Sequence, residues 1–113
     1  MKRDWVPEAG ELVWISFHPQ AGREQAGRRP ALVLSPAAYN RKSGLAIVCP
    51  ITSRVKGYPF EVQLPPGLPV AGAILADHLK NVDWRARRAE PMGKLPSRIL
   101  QDVLNRLAPL LGY

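Results

Sequence analysis

Proline and glycine set the grain of this chain. Twelve prolines and nine glycines fall among 113 residues, and ahead of the C-terminal segment they recur so often that no regular element there can run long. Proline fixes φ and lacks an amide hydrogen, and glycine opens the turn conformations, so each marks a stop. Between the stops the chain is apolar and rich in β-branched and aromatic residues. That pattern predicts strands over 11–17, 29–35, 44–51, 58–64, 73–76 and 80–84. The 44–51 run is apolar almost throughout and is expected to be buried on both sides, whereas 36–43 reads as a connection with Tyr39-Asn40-Arg41-Lys42 at its tip. Pro65-Pro66-Gly67 ends the fourth strand. The period then changes. Ile99, Leu100, Val103, Leu104 and Leu107 follow helical spacing and leave Arg98, Gln101, Asp102, Asn105 and Arg106 for solvent. Pro96 or Ser97 opens this helix, and Pro109 and Gly112 limit its end. One domain over 1–113 is expected, mainly β with a C-terminal helix. The architecture it suggests is a small, strongly bent antiparallel barrel that buries the helix's apolar stripe.

The charge narrows what such a barrel can bind. The formal net charge is +7 and the pI about 10.2, and eleven of the sixteen basic residues are arginine. Compact basic clusters favour a polyanion, with nucleic acid first and an anionic membrane surface second. The lone Cys49 sits inside an apolar run and reads as a small core residue. One cysteine and two distant histidines exclude an intrachain disulfide and are a poor basis for a zinc site, so no metal or cofactor is expected. The N-terminal Met1-Lys2-Arg3-Asp4-Trp5-Val6-Pro7 leads into no apolar segment of signal-peptide or membrane-spanning length. A cytoplasmic protein is the expectation.

The densest functional signal is Glu24-Gln25-Ala26-Gly27-Arg28-Arg29-Pro30, set against the mouth of the apolar run Ala31-Leu32-Val33-Leu34. Arginine there presents a planar fork of donors suited to phosphate, and Pro30 stiffens the point where Arg29 leaves the loop. Arg29 opens the second predicted strand, and Thr52 closes the third. If those two strands are antiparallel neighbours, Arg29 and Thr52 meet at one edge with Glu24 above them. Arg54, Lys56, Lys80, Arg85, Arg87 and Arg88 can ring that edge. Such a set suits RNA, which carries its own nucleophile in the 2′-hydroxyl. Holding it in line with the adjacent phosphorus can lower the barrier by roughly 7–11 kcal/mol. Arg29 then meets the charge that develops on phosphorus. The proton steps are open, because arginine and threonine are weak bases and Glu24 is the easier one. Each residue also has an ordinary structural reading: an Arg29–Glu24 surface pair, a Thr52 side chain bonding its own turn, a solvated arginine face. The functional case rests on their joint placement. Of the two histidines, His18 shares a loop with Glu24 and is expected to tune the pH profile without being essential, whereas His78 reads as a hydrogen-bonded loop residue.

Ordered segments along nearly the whole chain resemble the MazF/PemK family of toxin endoribonucleases. They are Pro7-Glu8-Ala9-Gly10-Glu11-Leu12-Val13-Trp14, Gly22 to Ser35, Tyr39-Asn40, Cys49-Pro50-Ile51-Thr52, Lys56-Gly57-Tyr58-Pro59-Phe60-Glu61-Val62, Ala76-Asp77-His78-Leu79-Lys80 and Trp84-Arg85-Ala86-Arg87. The resemblance implies a Src-homology-3-like barrel of the CcdB/PemK type that forms a homodimer. It also implies a metal-independent, sequence-specific endoribonuclease acting on single-stranded RNA and leaving a 2′,3′-cyclic phosphate and a 5′-hydroxyl. A MazE-like antitoxin whose acidic tail covers the RNA groove is implied as partner. By the same resemblance the catalytic arginine falls on Arg29, the catalytic threonine on Thr52 and the loop glutamate on Glu24, with RNA contacts near Lys56, Lys80, Arg85 and Arg87. Ser16 and His18 stand where the family pattern has acidic residues, Arg28 adds a charge beside Arg29, and 65–70 is a proline-rich variant of a variable loop. Two other classes fit a basic barrel: a non-enzymatic toxin of the CcdB type that poisons DNA gyrase, and a plain single-strand RNA-binding module.

Overall fold

The computed structural model describes residues 4–17 and 27–113. His18 and Glu24 lie outside the described residues. Among the described residues seven strands, β1 (Glu11–Phe17), β2 (Gly27–Val33), β3 (Leu45–Thr52), β4 (Glu61–Gln63), β5 (Ala73–Leu75), β6 (Lys80–Asp83) and β7 (Glu90–Lys94), accompany two α-helices, α1 (Ala37–Ser43) and α2 (Ser97–Leu110). The sheet runs β4-β5-β3-β2-β1-β7, with β6 also paired to β3. Every pairing is antiparallel. β3 is the hub, because its first half pairs with β6 and its last two residues with β5.

Alternation along the strands sorts the core into two clusters, one on each face. Leu12, Leu32, Cys49 and Ile51 join Val62, Ile74 and the α2 residues Ile99, Val103 and Leu107. Burying such side chains stabilises by about 1.5–3 kcal/mol each, and that holds α2 on the sheet. Val13, Ile15, Phe17, Ala31, Val33, Ala46 and Val48 face the other way, toward Val82, Trp84 and Ala89. Burial in the first cluster pushes the Cys49 thiol up to about 12, with Asp77 a lesser cause.

Four expectations need correction. The 36–43 connection contains α1, whose single buried residue is Asn40. Its side chain donates to the Pro7 and Ser35 carbonyls and accepts from the Ser35 hydroxyl, while its carbonyl accepts from the Trp84 indole. A polar residue thus does the anchoring that an apolar stripe usually does. The stretch 90–94, unassigned from sequence, is the edge strand β7. The fourth strand is shorter than expected, three residues from Glu61 rather than a run from Tyr58. Leu104, placed in the buried stripe, is exposed, because it falls beside the Ile99–Val103–Leu107 line that meets the sheet.

Candidate phosphodiester-binding site

Strand geometry brings Arg29 and Thr52 to one level of the sheet. β2 and β3 pair at Val33–Val48, Leu32–Cys49 and Ala31–Pro50. Arg29 and Thr52 each lie two residues beyond the last of these pairs, Ala31–Pro50. Period-two alternation puts both on the face of the second cluster, since Arg29 follows Ala31 and Val33, and Thr52 follows Ala46 and Val48. Arg29 also pairs with Ile15 of β1. Among the described residues its Nε is buried without a hydrogen-bond partner. A buried donor without a partner costs about 1–3 kcal/mol, so its retention points to a ligand oxygen.

Thr52 ends β3 and is nearly buried. Its Oγ1 accepts the Arg54 amide hydrogen at 3.1 Å, so the turn-forming role and the functional placement coincide on one residue. The chain then leaves the sheet through an exposed segment, 53–59, that carries Arg54 and Lys56. Lys56 Nζ lies 5.8 Å from the centre of the Tyr58 ring. Lys80 starts β6 opposite Val48, and its Nζ sits 5.9 Å from the centre of the Phe17 ring at the far end of β1. That reach across strands reports how tightly the sheet curls around this face.

The turn from Trp84 to Ala89 closes the other side. The Ser16 amide donates to the Arg87 carbonyl at 3.0 Å, and Arg87 Nη1 donates to the Ser16 carbonyl at 3.4 Å. Arg87 therefore stands beside Phe17 and the start of β2. The Arg85 guanidinium lies 4.4 Å from the centre of the Trp84 ring, a stacking that holds it on this turn. Arg88 adopts φ 58 to complete the turn. Arg28 is not a further cation of the site. It lies on the opposite side of β2 from Arg29 and bonds the Ser16 hydroxyl, the Arg88 carbonyl and the Glu90 carboxylate.

Thr52 and the Arg54 amide are thus joined at the end of β3, Lys80 reaches Phe17 at the end of β1, and Arg87 reaches the neighbouring Ser16, with Arg85 on the same turn. Sequence reasoning missed Phe17, whose signal was an aromatic on the same alternating face as Val13 and Ile15. It also missed Glu61 as an anchor, though a carboxylate opening an apolar run was visible. His78, read as a loop residue, instead ends a single 3-10 turn, Ala76–His78; it is half-buried, with Nε2 3.9 Å from an Asp77 carboxylate oxygen. Among the described residues no three His, Cys, Asp or Glu side chains converge, and no helix is long and apolar enough to cross a membrane.

A curled barrel that carries arginine and lysine on its loops and turns has the charge to suit a polyanion. The comparisons with known proteins are more specific. Residues 8–111 match the family model described as PemK-like, MazF-like toxin of type II toxin–antitoxin systems. The endoribonuclease toxin MazF of Escherichia coli K12 is 45% identical over 108 residues, 96% of each chain. The crystal structure of MazF from Deinococcus radiodurans superposes with a TM-score of 0.93 at 60% identity, covering 97% of this chain and 100% of that one. A MazE–MazF crystal structure from the same organism matches with a TM-score of 0.86 at 55% identity over 96% and 98% of the two chains. The chain belongs to the PemK/MazF-like toxins of type II toxin–antitoxin systems.

Proposed function

We propose that this endoribonuclease toxin cleaves single-stranded RNA, mRNA above all, by attack of a 2′-hydroxyl on the adjacent phosphorus, without a metal ion. The products are a 2′,3′-cyclic phosphate and a 5′-hydroxyl, and loss of message halts translation and growth. The observation that carries this reading is the buried, unpartnered Arg29 Nε on the same face and level as Thr52. A phosphate oxygen satisfies that N–H, and the guanidinium then stabilises the charge that builds up as the 2′-oxygen attacks. Thr52 Oγ1, already accepting from the Arg54 amide, retains a hydroxyl hydrogen to donate to the same phosphate. Glu24 is the residue in the set able to take the 2′-hydroxyl proton. Arg54, Lys56, Lys80, Arg85 and Arg87 grip the flanking phosphates, and base recognition falls to the surrounding loops.

A homodimer, which would set two such basic edges in one groove, and a MazE-like antitoxin that covers it complete the reading, with the cytoplasm as the place of action. The crystallised MazE–MazF pair supports the antitoxin as partner. A gyrase-poisoning toxin of the CcdB type would leave the open Arg29 N–H without a use. The test is digestion of a long single-stranded RNA in EDTA with cut sites and end groups mapped, beside Arg29→Ala and Thr52→Ala. Cuts at one short motif with cyclic-phosphate ends, lost in both variants, are expected. RNA left intact by a folded, antitoxin-free protein would overturn the reading.

A further inference from the structure

The segment 53–60 carries two of the site's cations yet has no regular structure and almost no burial. Something must fix its shape if Lys56 is to meet RNA at a defined place. The structure holds it at both ends. At the start, Thr52 Oγ1 takes the Arg54 amide. At the far end stands Glu61, the first residue of β4, with 9% relative exposure. Glu61 Oε1 accepts the Lys56 amide at 3.0 Å and the Gly57 amide at 2.8 Å, and Oε2 lies 3.3 Å from the Lys56 amide. The Glu61 amide in turn donates to the Tyr58 carbonyl, and Arg106 of α2 donates to the Pro59 carbonyl. Gly57 takes φ +81, which lets two successive amides turn toward one carboxylate.

We propose that Glu61 is a positioning residue for RNA binding: its buried carboxylate clasps the backbone of Lys56 and Gly57 and so holds the Lys56 ammonium and the exposed Tyr58 ring at a fixed distance from Thr52. The inference rests on the ribonuclease reading and goes beyond it, because Glu61 touches no reacting atom. Electrostatics makes the point sharper. A carboxylate beside a polyanion site repels the ligand, so removing its charge ought to tighten RNA binding if charge were its only effect. The clasp predicts the opposite sign. Glutamine keeps the shape of the side chain but offers a single acceptor oxygen, and its NH2 opposes the amides it must face. The loop is then freed and must be ordered again on binding.

The experiment is Glu61→Gln in the Thr52→Ala background, with the affinity for a short single-stranded RNA read at fixed salt and amide exchange followed at Lys56 and Gly57. About tenfold weaker binding is expected, the loss of one hydrogen bond to a charged group, together with faster exchange at those two amides. With Thr52 intact, KM should rise while kcat stays within about twofold. A role in stability alone would lower the melting temperature and leave KM in place. Unchanged or tighter RNA binding by a folded Glu61→Gln protein would overturn the clasp. Failure of the wild-type protein to cut RNA would instead remove the ribonuclease reading, and the inference with it.

Discussion

Gly72 offers the sharpest test of how Thr52 is placed. The residue sits just before β5, whose Ala73 pairs with Thr52, and its carbonyl accepts the Leu64 amide at 2.9 Å. A Cβ built on Gly72 would lie 2.0 Å from the Thr52 carbonyl oxygen, 2.9 Å from its carbon and 3.2 Å from Ser53 Cα. All three are backbone atoms, so no side chain can swing aside. Reaching 3.0 Å, the shortest approach real Cβ atoms show, means parting the chains by at least 1 Å. Gly72→Ala must therefore push Thr52 and Ser53 out, or break the Ala73–Thr52 pair. A misplacement of about 1 Å in a reacting group can lower a rate by about 10²-fold, and that is the loss expected in single-turnover RNA cleavage. Overpacking adds a stability loss of about 1–3 kcal/mol, so the assay belongs well below the melting transition followed by circular dichroism. Gly67→Ala is the control. Gly67 also has positive φ, at +92, but nothing lies within 4 Å of its Cβ position, so it reports backbone strain without collision. It should lose about 1 kcal/mol of stability and keep its cleavage rate. A folded Gly72→Ala protein that cuts RNA as fast as Gly67→Ala would refute the reasoning.

Three further outcomes can be checked. Arg29→Met removes the guanidinium proposed to act in cleavage together with its buried Nε, unpartnered among the described residues, so activity should fall by at least about 10²-fold, while thermal melting should show equal or higher stability; a clear drop in melting temperature would show that Arg29 is a structural residue. Lys56→Ala should reduce the slope of log affinity against log salt by about 1, whereas Arg28→Ala should leave it unchanged because Glu90 already neutralises that charge; equal slopes for both variants would contradict the assignment of Arg28. Glu8 accepts the amides of Ala9 and Ala37, which, in that order and against a small burial effect, hold its carboxyl below the ordinary 4.5, with Lys94 assisting. The depressed value means that its contribution is present above the unfolded pKa and lost as pH falls through the folded one. Glu8→Gln should therefore flatten the stability decline on the acid side of 4.5, and identical acid limbs in melts of the two proteins would dismiss the effect.

What could be read from the residues, and what could not, follows from where each element gets its free energy. β1, β2 and β3 bury apolar side chains on alternating faces or both, and that burial writes itself into the sequence. Thr52 was legible because it stands at the end of such a strand, and Arg29 because it adjoins the apolar run of β2, although that strand begins two residues earlier, at Gly27, than the sequence suggests. α1 was not legible, since Ala37–Ser43 buries only Asn40 and is held by hydrogen bonds that Asn40 donates to the Pro7 and Ser35 carbonyls and accepts from the Ser35 hydroxyl and the Trp84 indole, which no local period encodes. Nor was β7, whose Glu90-Pro91-Met92-Gly93-Lys94 has a proline, a glycine and one half-buried side chain. It is an edge strand recruited by β1 through a bulge between Leu12 and Val13, and an edge strand can keep a proline because one row of its amides needs no ladder partner. The same distinction separates the parts of the site. A guanidinium declares its chemistry wherever it stands, so the cations could be named from sequence. Glu61 and Gly72 work through backbone atoms that lie beside them only after β4 and β5 have paired with each other and with β3. Residues of that second kind carry an ordinary carboxylate or no side chain at all, and their part becomes visible only when the neighbouring chain is in place. For this barrel the consequence is that substitutions in the β4–β5 hairpin, outside the ring of basic residues, should alter RNA cleavage through the placement of Thr52 and Lys56.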